Sequence, residues 1–260
     1  MTLLVTWNVN SLKMRLPRVL EFLDLHRPDV LCMQETKTTA EAFPHAELAA
    51  VGYSAVEHSA GRWAGVAIVA PAETPPADVV CGLPGEVRGE EARWVEATVG
   101  GVRVASVYVT NGRTLDDPAY EEKLRFYEVM AARVGELRGT PLYVAGDMNI
   151  AVADADVWDP SLFVGTTHTS PAERSAFARV LDAGDLVDAY RVVEPETVGF
   201  TYWDYRAGMF HKNLGMRIDY ALVSRDLAGR AERCGIDRNF RKGTKPSDHA
   251  PLLLELSEDG

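Results

Sequence analysis

The chain has 260 residues, 47% of them apolar, which is enough to bury a substantial core in one large domain or two small ones. No apolar run approaches the roughly 18 residues that a membrane-spanning helix needs, so we expect no membrane partner. Three cysteines far apart in the chain argue against disulfides and against a thiolate metal site. The composition therefore predicts a reduced, cytoplasmic protein.

The net charge of −11 is unevenly distributed along the chain. Residues 203–245 contain ten Lys or Arg and five Asp or Glu, so this segment alone carries a net charge of +5. A basic segment in an acidic chain favours one face that binds a polyanion such as nucleic acid. Ordinary surface arginines near the C-terminus would produce the same count, so charge alone leaves both interpretations open.

Polar side chains follow the first two predicted strands. Residues 2–7 and 29–34 are short, apolar and β-prone, and apolar residues at helical spacing predict a helix between them that begins at Pro17. Ligand sites of layered α/β folds lie at the ends of such strands. The polar residues expected at these two strand ends are Asn8, Asn10 and Glu35.

The middle of the chain predicts a core strand, a hairpin and a helix. Residues 65–70 form an apolar run, and residues 118–137 carry an apolar stripe at helical spacing. The hairpin joins 93–99 to 102–109 through two glycines. Its second strand places two polar residues at its tip, Tyr108 and Asn111.

Residues 143–149 predict a buried strand that ends in a tight turn at Gly146. Asp147 and Asn149 follow, two residues apart, and such side chains point the same way on an extended segment. A carboxylate beside an amide is an acceptor–donor pair suited to holding a water molecule and an oxyanion. A polar turn without function is the plain alternative for this heptapeptide.

The last third of the chain predicts one helix and two strands. The acidic loop 151–170 lacks the spacing of an EF-hand, which argues against a calcium site. Ser170 to Glu173 form a capping box that begins a helix ending at Gly184. The strands cover 218–223 and 250–256, and the polar residues on or beside them are Asp219, Asp248 and His249.

Strand–helix alternation that gives way to hairpins in both halves predicts one domain, residues 1–260, with two packed mixed β-sheets flanked by helices. The predicted class is α/β (α+β), in four layers. If the polar strand ends converge, they offer oxygen ligands and no thiolate, a set that selects Mg²⁺, with Mn²⁺ as the alternative. With basic residues nearby, the expected substrate is a phosphodiester.

Six short motifs in this order resemble exonuclease III and the related apurinic/apyrimidinic (AP) endonucleases, within the DNase I-like endonuclease/exonuclease/phosphatase superfamily. They are TWNVNSLK (6–13), QETK (34–37), YVTN (108–111), GDMN (146–149), RIDYAL (217–222) and SDH (247–249). The resemblance implies a DNase I-like four-layer sandwich. It also implies a monomeric, Mg²⁺-dependent nuclease that cuts duplex DNA 5′ to abasic sites, or removes 3′ nucleotides and 3′ blocking groups.

The resemblance also implies roles for individual residues. The expected metal ligands are Glu35, Asn10 and Asp248. The expected catalytic residues are Tyr108, Asp147, Asn149, Asp219 and His249, and the general base stays open among Asp147, His249 and Tyr108. The residues expected to bind phosphate or DNA, or to wall a pocket for an extruded abasic sugar, are Asn8, Asn111, Trp203, Arg206, Lys212, Met216 and Arg217.

Two departures from the family pattern qualify this expectation. Some AP endonucleases have tryptophan where this chain has Met216, and many have aspartate in place of Asn10. These changes imply weaker discrimination of abasic sites and slightly weaker Mg²⁺ binding. Two alternatives remain: a superfamily enzyme that acts on RNA or a phosphoinositide, and a non-catalytic DNA-binding module.

Overall fold

The computed structural model describes residues 1–258 and places their strands in two mixed sheets. The strands of the first sheet are β1 (Thr2–Asn8), β2 (Val30–Gln34), β3 (Tyr53–His58), β4 (Val66–Pro71), β11 (Ala231–Ile236) and β12 (Leu252–Leu256). The strands of the second sheet are β5 (Ala77–Cys81), β6 (Trp94–Val99), β7 (Val102–Tyr108), β8 (Leu142–Asp147), β9 (Leu186–Asp188) and β10 (Asp219–Ser224).

The sheets run in the orders β11-β12-β1-β2-β4-β3 and β5-β6-β7-β8-β10-β9. Each combines antiparallel neighbours with one parallel pair, β1 with β2 and β7 with β8. In both pairs the carboxyl ends of the two strands lie at the same edge. The predicted hairpin is confirmed as β6 and β7.

Seven α-helices surround the sheets within residues 1–258, and the three longest cover the outer faces. The seven are α1 (Leu12–His26), α2 (His45–Ala50), α3 (Pro118–Glu136), α4 (Pro171–Gly184), α5 (Ala189–Val193), α6 (Met209–Lys212) and α7 (Arg225–Ala228). None of the helices within residues 1–258 combines the length and apolarity needed to cross a bilayer.

Three buried layers account for the four-layer fold. One apolar cluster fills the space between the sheets and includes Ile68 and Ala145. A second lies between the second sheet and α3 and α4, with Tyr127 and Phe177 fully or almost fully buried. A third lies between the first sheet and α1 and includes Phe22. The predicted sandwich of two mixed sheets flanked by helices is confirmed.

The start of α1 differs from its prediction. The helix begins at Leu12, and Pro17 lies inside it although proline cannot donate an intrahelical hydrogen bond. The amides of Ser11 and Leu12 donate to the carbonyls of Glu35 and Thr36 after β2, which satisfies groups that a helix start otherwise leaves unpaired. Leu12 is also fully buried, so packing starts the helix before the proline.

The end of β8 depends on a glycine. Gly146 has φ of +151°, and a Cβ at this position would lie 1.9 Å from the carbonyl oxygen of Val107 on β7. No side chain fits there without moving the backbone of one strand. Gly146 therefore allows β8 to approach β7 closely just before Asp147.

We expect Gly146→Ala to lower the free energy of unfolding by about 3 kcal/mol, because overpacking and an unfavourable φ act together. Gly235→Ala on β11 is the matched control, since its Cβ would meet nothing within 4 Å. Urea unfolding measures both changes. A midpoint for Gly146→Ala equal to that of the control would contradict the close approach of β7 and β8.

Candidate active site

Strand register brings three predicted site residues together on the second sheet. Tyr108 on β7 pairs with Asp147 on β8, and Asp147 pairs with Asp219 on β10. Asn8 of the first sheet reaches across, because its Nδ2 donates to Asp147 Oδ2 at 2.9 Å and to Glu35 Oε1 at 2.8 Å. The edges of the two sheets therefore meet at one polar site.

A cavity of about 220 Å³ opens at this edge. Its lining residues are Glu35, Tyr108, Asn111, Asp147, Asn149, His168, Tyr202, Met216, Ile218, Asp248 and His249. Asn8 and Asp219 bond to lining residues, and so does Asn10. The ten polar strand-end residues predicted from the sequence thus lie together.

His249 is held between two carboxylates. Its Nδ1 lies 2.8 Å from Asp219 Oδ2, and its Nε2 lies 3.7 Å from Asp147 Oδ2. Burial disfavours the imidazolium, but Asp219 and Asp147 outweigh that cost and raise the pKa of His249 to about 10. His249 is therefore protonated at neutral pH and presents a positive charge to the cavity.

Asp147 and Tyr108 differ in what they can do with a proton. Burial raises the pKa of the Asp147 carboxyl to about 8, within the range where a group exchanges protons at neutral pH. Burial also raises the pKa of the Tyr108 phenol well above its usual value, and Glu35 and Asp147 act in the same direction. Tyr108 therefore stays neutral and serves as a hydrogen-bond donor, so it is not a base at neutral pH.

Further oxygen atoms in or beside the cavity, on Glu35, Asn10 and Asp248, could serve as ligands of a hard cation. Lys37 Nζ lies 2.7 Å from Glu35 Oε2 and 2.6 Å from Asn10 Oδ1, and Asn10 Nδ2 donates to Asp248 Oδ1 at 2.9 Å. Burial opposes the charge of Glu35, but Lys37 and Asn8 outweigh it and lower its pKa. An ionised, partly buried carboxylate with amide and carboxylate oxygens nearby matches the ligands that Mg²⁺ takes.

The Asp147 carboxylate and the His249 imidazole lie close to Glu35. One ligand atom each from Glu35, Asp147 and His249 lies within 4.8 Å of the other two. Because the His249 imidazole carries a proton and binds Asp219 through Nδ1, its nitrogen lone pairs are engaged. The carboxylates of Glu35 and Asp147 therefore remain as candidate ligands in this cluster, and Asn10 and Asp248 offer further oxygen atoms beside Glu35.

Four residues in or beside this site have unusual backbone angles. Asn10, Glu35, Lys37 and Asn149 all have φ between 42° and 51°, the left-handed region that non-glycine residues rarely adopt. Each such residue costs on the order of 1 kcal/mol or more and persists because its surroundings hold it. Backbone strain at four neighbouring positions is typical of a functional site.

The turn after β8 orients Asn149 through several hydrogen bonds. Its backbone N–H donates to Asp147 Oδ1 at 2.9 Å, and its Nδ2 donates to the carbonyl of Val109 at 2.8 Å. Its Oδ1 accepts from Asn111 Nδ2 at 3.1 Å and lies 3.3 Å from His168 Nε2. The Asn149 side chain is therefore fixed in orientation at the cavity wall.

Sequence reasoning missed two residues of the cavity. His168 lies in the irregular loop before α4, where no periodicity marks a site, and burial lowers its pKa to about 4, which keeps it neutral. The Tyr202 ring lies 5.0 Å from the His249 ring. The only sequence signal for Tyr202 was the aromatic and basic segment around it, from which the adjacent Trp203 was predicted instead.

Trp203 does not wall the cavity, contrary to the sequence prediction. It is fully buried, packs edge-on against Phe210 with ring centroids 5.1 Å apart, and lies under the guanidinium of Arg238. Successive side chains of an extended segment point to opposite faces, so Tyr202 faces the cavity and Trp203 faces away. The tryptophan stabilises the segment from behind.

Arg217 cannot contact DNA, which corrects a second prediction. Its side chain is fully buried, with Nε 2.8 Å from Asp156 Oδ1 and one terminal nitrogen 2.7 Å from Asp188 Oδ2. Met216 and Ile218, on either side, line the cavity, so the alternating arginine points inward. The exposed basic residues of the segment include Arg206, which pairs with Asp204, and Lys212.

Comparison with known proteins agrees with this geometry. A model of the endonuclease/exonuclease/phosphatase family matches residues 5–249. Exodeoxyribonuclease III of Haemophilus influenzae is 30% identical, covering 97% of this chain and 98% of that protein. The exodeoxyribonuclease of Bacillus subtilis is 32% identical, covering 98% and 99% respectively.

Solved structures are similar over the whole chain. The 3′-5′ exonuclease NExo of Neisseria meningitidis is 40% identical with a TM-score of 0.95, covering 99% of this chain and 100% of that one. An AP endonuclease of Archaeoglobus fulgidus has the same TM-score and coverage at 33% identity. A Neisseria NExo variant described as a 3′ phosphatase bound to product DNA hairpin is 39% identical, with 99% and 100% coverage and a TM-score of 0.95.

We expect Arg217→Met to lower the free energy of unfolding by about 3–5 kcal/mol, because Asp156 and Asp188 lose the buried arginine that they share, and the fully buried Asp156 keeps only Arg191. Arg206→Met is the control, since that ion pair has an arginine side chain 87% exposed and should change stability by less than about 1 kcal/mol. Denaturant unfolding compares the two. An Arg217→Met protein that is as stable as the wild type but binds DNA more weakly would contradict this assignment and support a DNA contact by Arg217.

Proposed function

The chain belongs to the endonuclease/exonuclease/phosphatase family as an exonuclease III-type DNA-repair nuclease, and we propose that it hydrolyses phosphodiester bonds with Mg²⁺ at 3′ ends and 5′ to abasic sites of duplex DNA. One observation carries the proposal. Asn8 joins Glu35 to Asp147 across the two sheets, and His249 lies beside Asp147. A cation site, a proton acceptor and a positive charge therefore surround one small cavity.

The size of the cavity supports a sugar–phosphate group as the part of the substrate that enters. Its volume of about 220 Å³ lies below the roughly 300 Å³ at which pockets for drug-sized ligands begin. Tyr202, Met216 and Ile218 supply apolar surface for a sugar, and the polar residues face a phosphate. Similarity to both a 3′-5′ exonuclease and an AP endonuclease supports both substrates.

Members of this family depend on a metal ion, and we assign its ligands here to Glu35, with Asn10 and Asp248 nearby. A bound Mg²⁺ would neutralise charge on the phosphate and orient it, with Mn²⁺ as the alternative ion. Lys37 already places one positive charge against the Glu35 and Asn10 oxygens, which supports a cation site there. The amide of Asn10 supplies no negative charge, so affinity for the ion should be modest.

The catalytic roles follow from the protonation states. Asp147 is the proposed general base in its ionised form, whose share grows as the pH rises toward its pKa of about 8, whereas the imidazolium of His249 and the neutral phenol of Tyr108 cannot accept the proton of the attacking water. Asn149, held by Asn111 and Val109, orients that water. His249, held by Asp219, stabilises negative charge that develops on the phosphate. Tyr108, Asn8 and Asn111 contribute further hydrogen bonds to phosphate oxygens or to the groups that hold them.

We assign DNA binding to the basic segment, residues 203–245, and within it to the exposed Arg206 and Lys212. Salt-sensitive attraction of phosphates to such residues explains how an acidic protein binds DNA on one face. The similarity to DNA-processing enzymes favours DNA over RNA or a phosphoinositide, and the complete catalytic set argues against a non-catalytic module. Three free cysteines support a reducing, cytoplasmic setting, and we propose a monomer.

We expect Asp147→Asn to reduce cleavage by about 10²- to 10⁴-fold, because the amide cannot accept a proton. Asp154→Asn is the control, an acid with a side chain 73% exposed outside the cavity. The substrates are a labelled duplex with a recessed 3′ end and one with a single abasic-site analogue. Cleavage should stop in EDTA and return with Mg²⁺.

The two substrates separate the parts of the proposal. Stepwise shortening of the recessed end identifies an exonuclease, and a single cut beside the lesion identifies an AP endonuclease. Full activity of Asp147→Asn would refute Asp147 as the base. Absence of metal-dependent cleavage of either duplex by the wild-type protein would refute the function.

A further inference from the structure

A buried ion pair lies directly behind the cavity wall. Lys123 of α3 and Glu173 of α4 are both fully buried, and Lys123 Nζ lies 2.5 Å from Glu173 Oε1. The ammonium also donates to the carbonyl of Asn149 at 2.6 Å, the carbonyl of Asn111 at 3.2 Å and Thr167 Oγ1 at 3.4 Å. One cation therefore bonds to the backbone of two cavity residues.

Glu173 holds the third residue of this wall. Its Oε1 accepts from the backbone N–H of His168 at 2.9 Å and from Thr167 Oγ1 at 2.8 Å. Its Oε2 accepts from the Ser170 N–H at 3.1 Å, which completes the capping box of α4. The carboxylate thus fixes the loop before α4 to the same ammonium.

The three wall residues meet again on the cavity side. Asn111 Nδ2 donates to Asn149 Oδ1, and His168 Nε2 lies 3.2 Å from Asn111 Nδ2 and 3.3 Å from Asn149 Oδ1. All three lie in loops beyond the ends of strands, where no sheet ladder holds them. Their relative positions therefore depend on the contacts with Lys123 and Glu173 behind the cavity wall and on the contacts among the three side chains at the cavity.

The Lys123 side chain fills the space beside the loop that follows β7. A Cβ on Gly112, whose φ is +87°, would lie 3.1 Å from Lys123 Cδ and 2.9 Å from Thr167 Oγ1. The loop after β7 thus closes over the lysine stem. Because buried ion pairs contribute little to net stability compared with apolar side chains of similar volume, stability alone does not explain a charged pair here.

We propose that Lys123 and Glu173 are positioning residues that hold Asn149, Asn111 and His168 in the orientation the reaction requires. The proposal rests on the proposed nuclease activity, in which Asn149 orients the attacking water. Loss of the ammonium would free the carbonyls of Asn111 and Asn149 to move. The chemical step would then slow, whereas DNA binding by the exposed basic residues would stay unchanged.

Steady-state kinetics with the duplex that has a recessed 3′ end test whether Lys123 and Glu173 position these residues. We expect Lys123→Met to lower kcat about 10- to 100-fold, the usual effect of removing a group that orients a catalytic residue, with KM changed less than about threefold. Glu173→Gln should cause a smaller loss, because the Lys123 ammonium stays in place and the single amide oxygen still accepts from one of the two backbone N–H groups, that of His168 or that of Ser170. It also serves as the deciding variant if Lys123→Met does not fold.

The matched control is Glu96→Gln on β6. Glu96 is fully buried and pairs with Arg103 and Arg133, so its loss disturbs a buried ion pair that no cavity residue contacts. We expect Glu96→Gln to lower stability while leaving kcat unchanged. Equal losses of kcat in all three variants would reduce the Lys123 effect to general destabilisation and overturn the proposal.

A readout independent of activity uses the side-chain amides. In ¹⁵N-labelled protein, the Asn149 and Asn111 amide resonances should shift or broaden in Lys123→Met and Glu173→Gln and stay fixed in Glu96→Gln. Unchanged resonances together with unchanged kcat would overturn the proposal. If the wild-type protein cleaves no DNA, the proposed function fails, but the resonances still decide whether the pair orients these asparagines.

Discussion

The site depends on strand register. Asp147 stands opposite Tyr108 on one side and Asp219 on the other, and it ends the strand that Gly146 brings against β7. A slip of one residue in either pairing would turn a site residue to the opposite face of the sheet. The inter-sheet core that fixes this register therefore also fixes the distances within the cavity.

The first sheet contributes through a single amide. Asn8, fully buried at the end of β1, donates one hydrogen to each of two carboxylates that would otherwise repel each other. Positive charges lie nearby on both sides, on Lys37 at the proposed metal position and on His249 beside Asp147. The site thus balances buried acids with cations.

Much of the fold and of the candidate site could be predicted from the sequence, because both depend partly on local patterns of residues. Polar residues that interrupt apolar strands mark strand ends, and the capping box of α4 marks a helix start. The polar strand ends and helices α3 and α4 were therefore predicted correctly. A layered fold brings such strand ends to one edge, so their convergence could be predicted once the fold class was predicted. The order of the six motifs supplied the family.

The errors have a different origin. Trp203 and Arg217 were placed in the site because they are aromatic and basic, but the face on which a side chain lies depends on the sheet it packs against. Arg217 meets its two aspartates 61 and 29 residues away in sequence, a separation that no local pattern encodes. His168 and the Lys123–Glu173 pair depend on such distant contacts too.

The most direct test of the account is to locate a metal ion. Crystals of the wild-type protein soaked in Mn²⁺ and measured by anomalous diffraction should show one ion in contact with Glu35, beside Asn10 and Asp248. That result would establish the strand-end cluster as a metal site at the cavity. An ion bound elsewhere with none at Glu35, or no ion at millimolar Mn²⁺, would contradict it.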